Sequence, residues 1–303
     1  MTLSPHLVHT PLATAMLLIC SAYATAQVQQ LDTLVIQAQT PSALQLDPLS
    51  LNIVETPYSL SLIDAEQIET QGLSSLADIA TQDASLGEGY LPIGYYGNLI
   101  SRGFALDSSN SYLINGQTVR GEQNIALENK QQVEVLKGVA ALYSPMATPG
   151  GVVNYVSKRP EDVRTLSFNA NQYGQMAAHL DVGGFNATQD LGYRLNLVTE
   201  KLKPYIQAAE GERYLAALAL DYHLSPEQRI EFDTEWQRQS QYSAAGYQLF
   251  NGTLPQGIDW DRAIGHQAWS KPVKMTASLR RFNISSSLMT IGKRLSLQVL
   301  VKW

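Results

Sequence analysis

"VEVLKGVAALYSPMATPGGVVNYVSKRP", residues 133 to 160, holds two short apolar strands joined through small residues and a Pro-Gly-Gly turn. The first strand halts at Lys137-Gly138. The second, "GVVNYVS", runs into the basic stop Lys158-Arg159-Pro160. Strands this close together make a compact unit, with glycines where the backbone must turn tightly or approach a neighbour. The chain has a different texture on each side of this unit, and that contrast decides the fold.

Residues 51–160, which close on this stretch, read as a small α+β domain. In "DAEQIETQG", Asp64 is placed as an N-cap with Gln67 three residues on, and Gly72 is placed as the stop. In "SSLADIATQ", Ser75 and Asp78 stand in the same relation, with Leu76, Ile79 and Ala80 on one face. "SYLINGQTV" carries Asn115-Gly116, the strongest short hairpin signal, between strand-like flanks.

Residues 161–303 alternate. In "LGYRLNLVTE", Leu191, Tyr193, Leu195 and Leu197 face one way, while Arg194, Asn196 and Glu200 face the other. In "RYLAALALDYH", Tyr214, Ala216, Leu218, Leu220 and Tyr222 form an aliphatic band with a tyrosine at each end, as a membrane strand needs at its two interfaces. "RIEFDTEWQR" sets Ile230, Phe232 and Trp236 against Glu231, Asp233 and Glu235. Three carboxylates on one inner face do not suit a dry core; a water-filled lumen is the expected home. A soluble sandwich with one solvated face also alternates. The irregular stretch 240–272 holds Tyr242, Tyr247, Phe250, Trp260 and Trp269, a pattern of ligand contact or of loop self-packing.

The formal charge of −6 leaves no basic stripe for phosphates, so nucleic acid is not an expected partner. Fifteen tyrosines against six phenylalanines and four tryptophans favour rings that sit half in an apolar phase and half in water. Leu12 to Cys20 is an apolar run too short to span a bilayer, and Ala24 to Ala26 supplies small residues for cleavage, so residues 1–26 read as a signal peptide. The single cysteine, Cys20, leaves with it. Residues 27–50 form a polar tail with one β-prone run, read either as a disordered linker or as a strand waiting for another protein's sheet edge.

These pieces together resemble a TonB-dependent outer-membrane receptor of the ferric-siderophore type. "VEVLKG" and "PGGVVNYVSKRP" are the most specific part of the resemblance. "ISRGF" resembles the family's Arg-Gly-Phe motif, with Ser101 where an aliphatic is usual, and "LINGQTV" has Asn115 where an aspartate is usual. One departure is clear: Gly138 is followed by Val139, and Leu142-Tyr143-Ser144 replaces a Leu-Tyr-Gly element. The resemblance implies an α+β plug domain (51–160) followed by antiparallel transmembrane β-barrel strands (161–303).

It also implies a TonB box at Asp32, Thr33, Leu34, Val35, Ile36, Gln37 and Ala38, which would add as a strand to TonB of the inner-membrane energy-coupling complex. "DASLGEGYLPIGYYG" resembles the apical plug loop, which makes Tyr95, Tyr96 and then Tyr90 the implied ligand contacts; packing against the barrel wall is the plainer role for the same rings. Arg102, Gly103 and Phe104 are implied in plug–barrel packing. The cargo implied is a ferric siderophore, carried rather than kept as a cofactor, with outer-membrane lipid around the barrel; haem, cobalamin or a glycan would suit the same architecture. No zinc-hydrolase histidine pair, Walker lysine motif or Gly-x-Ser-x-Gly turn occurs, so neither a catalytic residue nor a metal ligand is nominated. Residues 161–303 offer about six or seven strands, and a ring that small cannot enclose a plug, so the expectation is an incomplete barrel in a truncated chain.

Overall fold

The computed structural model describes residues 59–90, 92–138, 149–225, 228–247, 249–286 and 295–300, all within one compact unit, Ala43–Trp303. The expected signal peptide, the tail and the heptad 32–38 lie outside the described residues, as do Val139 and Leu142 to Ser144.

The N-terminal globule is built from β1 (Ser59–Asp64), α1 (Ala65–Thr70), α2 (Leu76–Thr81), β2 (Leu86–Tyr90), β3 (Asn98–Ser101), β4 (Phe104–Ala105), β5 (Tyr112–Ile114), β6 (Gln117–Thr118), β7 (Lys130–Lys137) and β8 (Gly151–Ser157). The two strands of the opening stretch are β7 and β8. They lie inside a five-stranded sheet of order β1-β7-β8-β5-β6, and Val133, Val135, Val152, Val153 and Tyr155 on them are buried. Gly151 has φ +113, and a Cβ there would lie 2.0 Å from the Leu136 carbonyl oxygen. No side chain fits where β8 first meets β7.

The local signals take the form the residues dictate. The Gln67 N–H donates to Asp64 Oδ1 at 2.8 Å, and the Asp64 N–H donates to Gln67 Oε1 at 3.2 Å. At the other end of α1, Gly72 (φ +64) lets its own N–H reach the Glu69 carbonyl and lets the Leu73 N–H reach that of Ile68. The Asp78 carboxylate accepts from the N–H groups of Ser74 and Ser75 ahead of α2, both at 2.9 Å. Asn115 and Gly116 turn the β5–β6 hairpin at φ +51 and +77, both positive as a two-residue hairpin turn of this kind requires. Asn115 donates to Ser157 Oγ at 3.0 Å and accepts from the Ser157 N–H at 2.9 Å. A carboxylate could keep the second bond, but could meet Ser157 Oγ only by accepting from its hydroxyl.

The remaining strands, β9 (Val163–Ala170), β10 (Met176–Phe185), β11 (Leu191–Leu202), β12 (Gly211–Ser225), β13 (Gln228–Gln241), β14 (Val273–Ser286) and β15 (Leu295–Leu300), form one antiparallel sheet in strict sequence order. Its edges are β9 and β15, so the sheet as described is not a closed ring. The longest connection between described strands, 242–272, stands at the same end of the sheet as 171–175 and 203–210, opposite 186–190. Short turns at one rim and long loops at the other are the habit of outer-membrane barrels, in which the long loops face outward from the cell.

The alternation read from the sequence matches the two faces of this sheet. Tyr193, Leu197, Tyr214, Tyr222 and Trp236 are exposed, and Arg194, Asn196, Glu200, Glu231, Asp233 and Glu235 are buried. One expectation is overturned: the three carboxylates of β13 do not face a water-filled lumen. The globule occupies that side and supplies partners for Glu235 and Asp233, while those of Glu231 come from the sheet itself. Lys130 Nζ meets Glu235 Oε2 at 2.7 Å, Arg159 pairs with Asp221 and Asp233, and Arg281 of β14 bonds Asp233 and Glu231.

Candidate functional site

The hairpin of β2 and β3 carries the candidate site. Its register shifts between Glu88 and Tyr90, and the connection that follows brings Tyr95 and Tyr96 back beside Tyr90. Ring centroids stand 6.3 Å apart for Tyr90 and Tyr95, 5.8 Å for Tyr90 and Tyr96, and 4.6 Å for Tyr95 and Tyr96. The first pair meets edge to face, at 89°. Tyr90 is 50% exposed and Tyr95 38%. Rings in mutual contact at these distances leave no gap between them, so a ligand would meet their outer faces.

A buried ring anchors this hairpin from beneath. The Tyr112 hydroxyl donates to Asn98 Oδ1 at 2.7 Å and accepts from the Leu99 N–H at 3.2 Å. Burial pushes the Tyr112 phenol up to about 12, although the Leu99 N–H pulls the other way. Tyr112 is therefore a fixed, neutral donor at neutral pH. The Tyr96 hydroxyl is also raised, by desolvation first and then by the Glu122 carboxylate.

The hairpin tip is tied to the long-loop rim. The Ala244 N–H donates to the Ile93 carbonyl at 3.1 Å. At Gly94 (φ +76), a Cβ would sit 2.5 Å from the Tyr242 carbonyl oxygen. A small apolar cluster of Ala209, Ala244 and Ala263, with Ile93 and Ile206 against it, seals the contact. The loop aromatics divide into two groups. Tyr242 packs edge-on to His266 at 5.2 Å and Tyr247 to Trp260 at 5.4 Å, whereas Phe250 and Trp269 are among the most exposed large apolar residues described.

The other nominated positions fall elsewhere. Arg102 (φ +50) and Gly103 (φ +85) turn the chain between β3 and β4. Arg102 donates to Ser59 Oγ at 2.6 Å, a bond made within the globule, and Phe104 is exposed.

A set of residues that sequence reasoning did not nominate joins the globule to the sheet. Arg213 of β12 bridges Glu200 at 2.7 Å and Glu128. Asn129 and Lys130 both donate to Glu235 Oε2 at 2.7 Å. Lys158 reaches Asp181 at 2.9 Å, and Arg194 bonds the same aspartate and Glu161. The run Glu128-Asn129-Lys130 ahead of an apolar strand was the available signal, but nothing in it names a partner. Among the described residues, no group of three or more His, Cys, Asp or Glu side chains is arranged to hold a metal ion, and no helix is long and apolar enough to cross a membrane.

Residues 52–152 match the family profile "TonB-dependent Receptor Plug Domain". Residues 52–152 are a plug domain of the TonB-dependent receptor type. The sequence is 32% identical over 114 residues to the metal-pseudopaline receptor CntO of Pseudomonas aeruginosa, a match covering 37% of this chain and 16% of that protein. It is 25% identical over 242 residues to the ferrichrome outer membrane transporter and phage receptor of Escherichia coli, covering 74% of this chain and 32% of the relative. The fold of plug and sheet together superposes on the ferripyoverdine receptor of the outer membrane of Pseudomonas aeruginosa with a TM-score of 0.72 at 17% identity, over 82% of this chain and 34% of that one. The chain thus spans about a third or less of the length of these relatives. In plug terms, the tyrosine hairpin is the plug's loop at the long-loop rim, and the buried charge pairs are the seam between plug and barrel strands.

Proposed function

We propose that this plug and sheet serve in an outer-membrane receptor that takes up ferric siderophores with energy supplied by TonB. The observation that carries this reading is the tyrosine cluster, half exposed at the long-loop rim and tied there to the loop 242–272. A large, scarce chelate is caught at that rim by ring faces and loop aromatics, and the plug beneath it keeps the pore shut. The relatives are named as receptors or transporters of chelates, which supports the same cargo class.

Passage through a pore that a folded plug obstructs needs work from elsewhere. The heptad Asp32 to Ala38, in a polar tail on the N-terminal side of the plug, is suited to pairing as an added strand with TonB. The outward band of Tyr, Leu and Trp side chains sets the sheet in outer-membrane lipid. Transport of this kind breaks no covalent bond of the cargo.

The test is a binding titration of iron(III) chelates against haem and cobalamin, with the wild-type chain and the Tyr95→Ala, Tyr96→Ala double variant. Chelate binding that weakens about ten-fold or more in the variant is expected from the loss of two ring contacts. Binding of haem or cobalamin alone would overturn the cargo. Unchanged chelate affinity in the variant would overturn the site.

A further inference from the structure

We propose that Ile93 and Gly94, at the tip of the tyrosine hairpin, are positioning residues that seat the loops 203–210 and 242–272 on the plug. The face that meets the cargo is then formed in advance, and it lasts only while the plug stays in place. This role rests on the siderophore reading above, and neither residue needs to touch the chelate.

A single turn carries both halves of the arrangement. The Tyr95 N–H donates to the Pro92 carbonyl at 3.3 Å. Gly94, the third residue of that turn, takes φ +76, which glycine adopts without strain. The turn ends on Tyr95 of the cluster, and its two middle residues meet the loop. Ile93 pairs with Ala244 as an isolated antiparallel bridge. Gly94 lies against backbone: a Cβ there would stand 2.5 Å from the Tyr242 carbonyl oxygen and 3.0 Å from the Ser243 Cα. Neither atom can swing aside as the end of a side chain would. The loop backbone at Tyr242 is thus fixed beside the residue that precedes Tyr95.

The two loops are joined to each other as well. The Gln207 N–H donates to the Asp261 carbonyl at 2.6 Å, and the Gln207 carbonyl accepts from the Ala263 N–H at 3.3 Å. The Gln207 side-chain amide donates to the Asp261 carboxylate at 2.9 Å. The Tyr242 N–H donates to the Glu210 carbonyl at 3.1 Å, and the Gln241 side chain donates to the Ala209 carbonyl at 3.0 Å. Ala209, Ala244 and Ala263 are buried together, and in their cluster Ile93 alone comes from the plug.

An irregular loop left to itself would have to be ordered by the ligand, and that ordering subtracts from affinity. Seated on the plug, the loop holds its ring pairs, Tyr242 with His266 and Tyr247 with Trp260, before cargo arrives. The seat is one backbone bridge, one close backbone contact and one apolar side chain. A plug that leaves its place takes all three with it, so cargo held between hairpin and loop is let go as the plug moves.

The experiment uses the full 303-residue chain in detergent micelles. Amide hydrogen exchange read by mass spectrometry compares peptides from 203–210 and 242–272 with peptides from β7 and β8. In Gly94→Ala and in Ile93→Ala, exchange in the two loops is expected to quicken about ten-fold or more while β7 and β8 keep their protection. Ile93→Val should keep the loops slow. Ferrichrome and ferrioxamine B serve as iron(III) probes, and a probe that binds the wild type should leave Gly94→Ala about ten-fold faster. Loops that exchange at the wild-type rate in both Gly94→Ala and Ile93→Ala would overturn the positioning role. So would an equal loss of protection in β7 and β8 in both variants, which marks a general loosening of the plug, or loosened loops with an unchanged dissociation rate. Failure of the folded wild type to bind either probe would count against the siderophore reading, and the exchange comparison would still decide whether Ile93 and Gly94 seat the loops.

Discussion

Lys130, on plug strand β7, and Glu235, on barrel strand β13, meet at 2.7 Å with the lysine side chain fully buried. The Asn129 amide donates to the same carboxylate oxygen and the Asn129 carbonyl oxygen accepts from Lys130 Nζ, both at 2.7 Å, so the pair is hydrogen-bonded as well as charge-matched. Removing one member leaves the other charge buried without its counter-ion, which costs about 3–5 kcal/mol; removing both costs far less. Lys130→Met and Glu235→Gln should each lower plug stability by that amount in denaturant titrations. The double variant Lys130→Met, Glu235→Met should recover most of the loss. Losses that simply add would show that the pair is not coupled.

Ser101 is fully buried, and its hydroxyl has no hydrogen-bond partner among the described residues. This is the position where an aliphatic was expected from the resemblance. Ser101→Ala should therefore raise plug stability, by about 1 kcal/mol, because an unpaired buried hydroxyl is replaced by a methyl group. A loss of stability would reveal a partner for the hydroxyl.

Asp83 sits under a small polar cap: Lys137 Nζ pairs with it, and the Ser85 N–H and hydroxyl each donate to it at 2.7 Å. Burial works to raise its carboxyl, but Lys137, Ser61 and Ser85 more than offset that and hold it far below the ordinary carboxylate range. A depressed folded value means that the contribution is present above the unfolded carboxyl's range, near pH 4, and is lost as pH falls further. Unfolding followed from about pH 6 to 2 should show an acid-side loss that Asp83→Asn flattens. Equal slopes in both proteins would remove Asp83 from the account.

Val35→Pro takes away an N–H from the heptad assigned to TonB pairing, and a strand cannot add without it. In cells expressing a receptor with this tail, iron-chelate uptake should fall while chelate binding at the surface stays unchanged. Uptake at the wild-type rate would dismiss the heptad.

The features legible in the sequence were those decided within a few residues. Asp64 with Gln67, Gly72 as a stop, and Asn115-Gly116 act through bonds to near neighbours, so spacing alone identified them. The faces of β11 to β13 were legible because alternation has a fixed period. What occupied the inner face was not legible. Glu235 and Asp233 looked suited to water because their cations come from far away: Lys130 is 105 positions before Glu235. The tyrosines could be nominated from their density in a glycine-rich loop.

Strand β1 has a mechanical role that follows from its place in the sheet. It is the first described strand after the tail, it lies at the edge of the five-stranded sheet, and among the described strands its backbone ladder runs only to β7, from Ser59 opposite Lys137 to Asp64 opposite Gln132. A pull on the chain ahead of Ser59 loads β1 before any other described strand. Releasing an edge strand breaks its bonds to a single neighbour, whereas β7 and β8 remain paired with each other while Lys130 stays clamped on Glu235. Under tension the plug should yield as a ratchet does, one tooth at its rim while the hub stays seated.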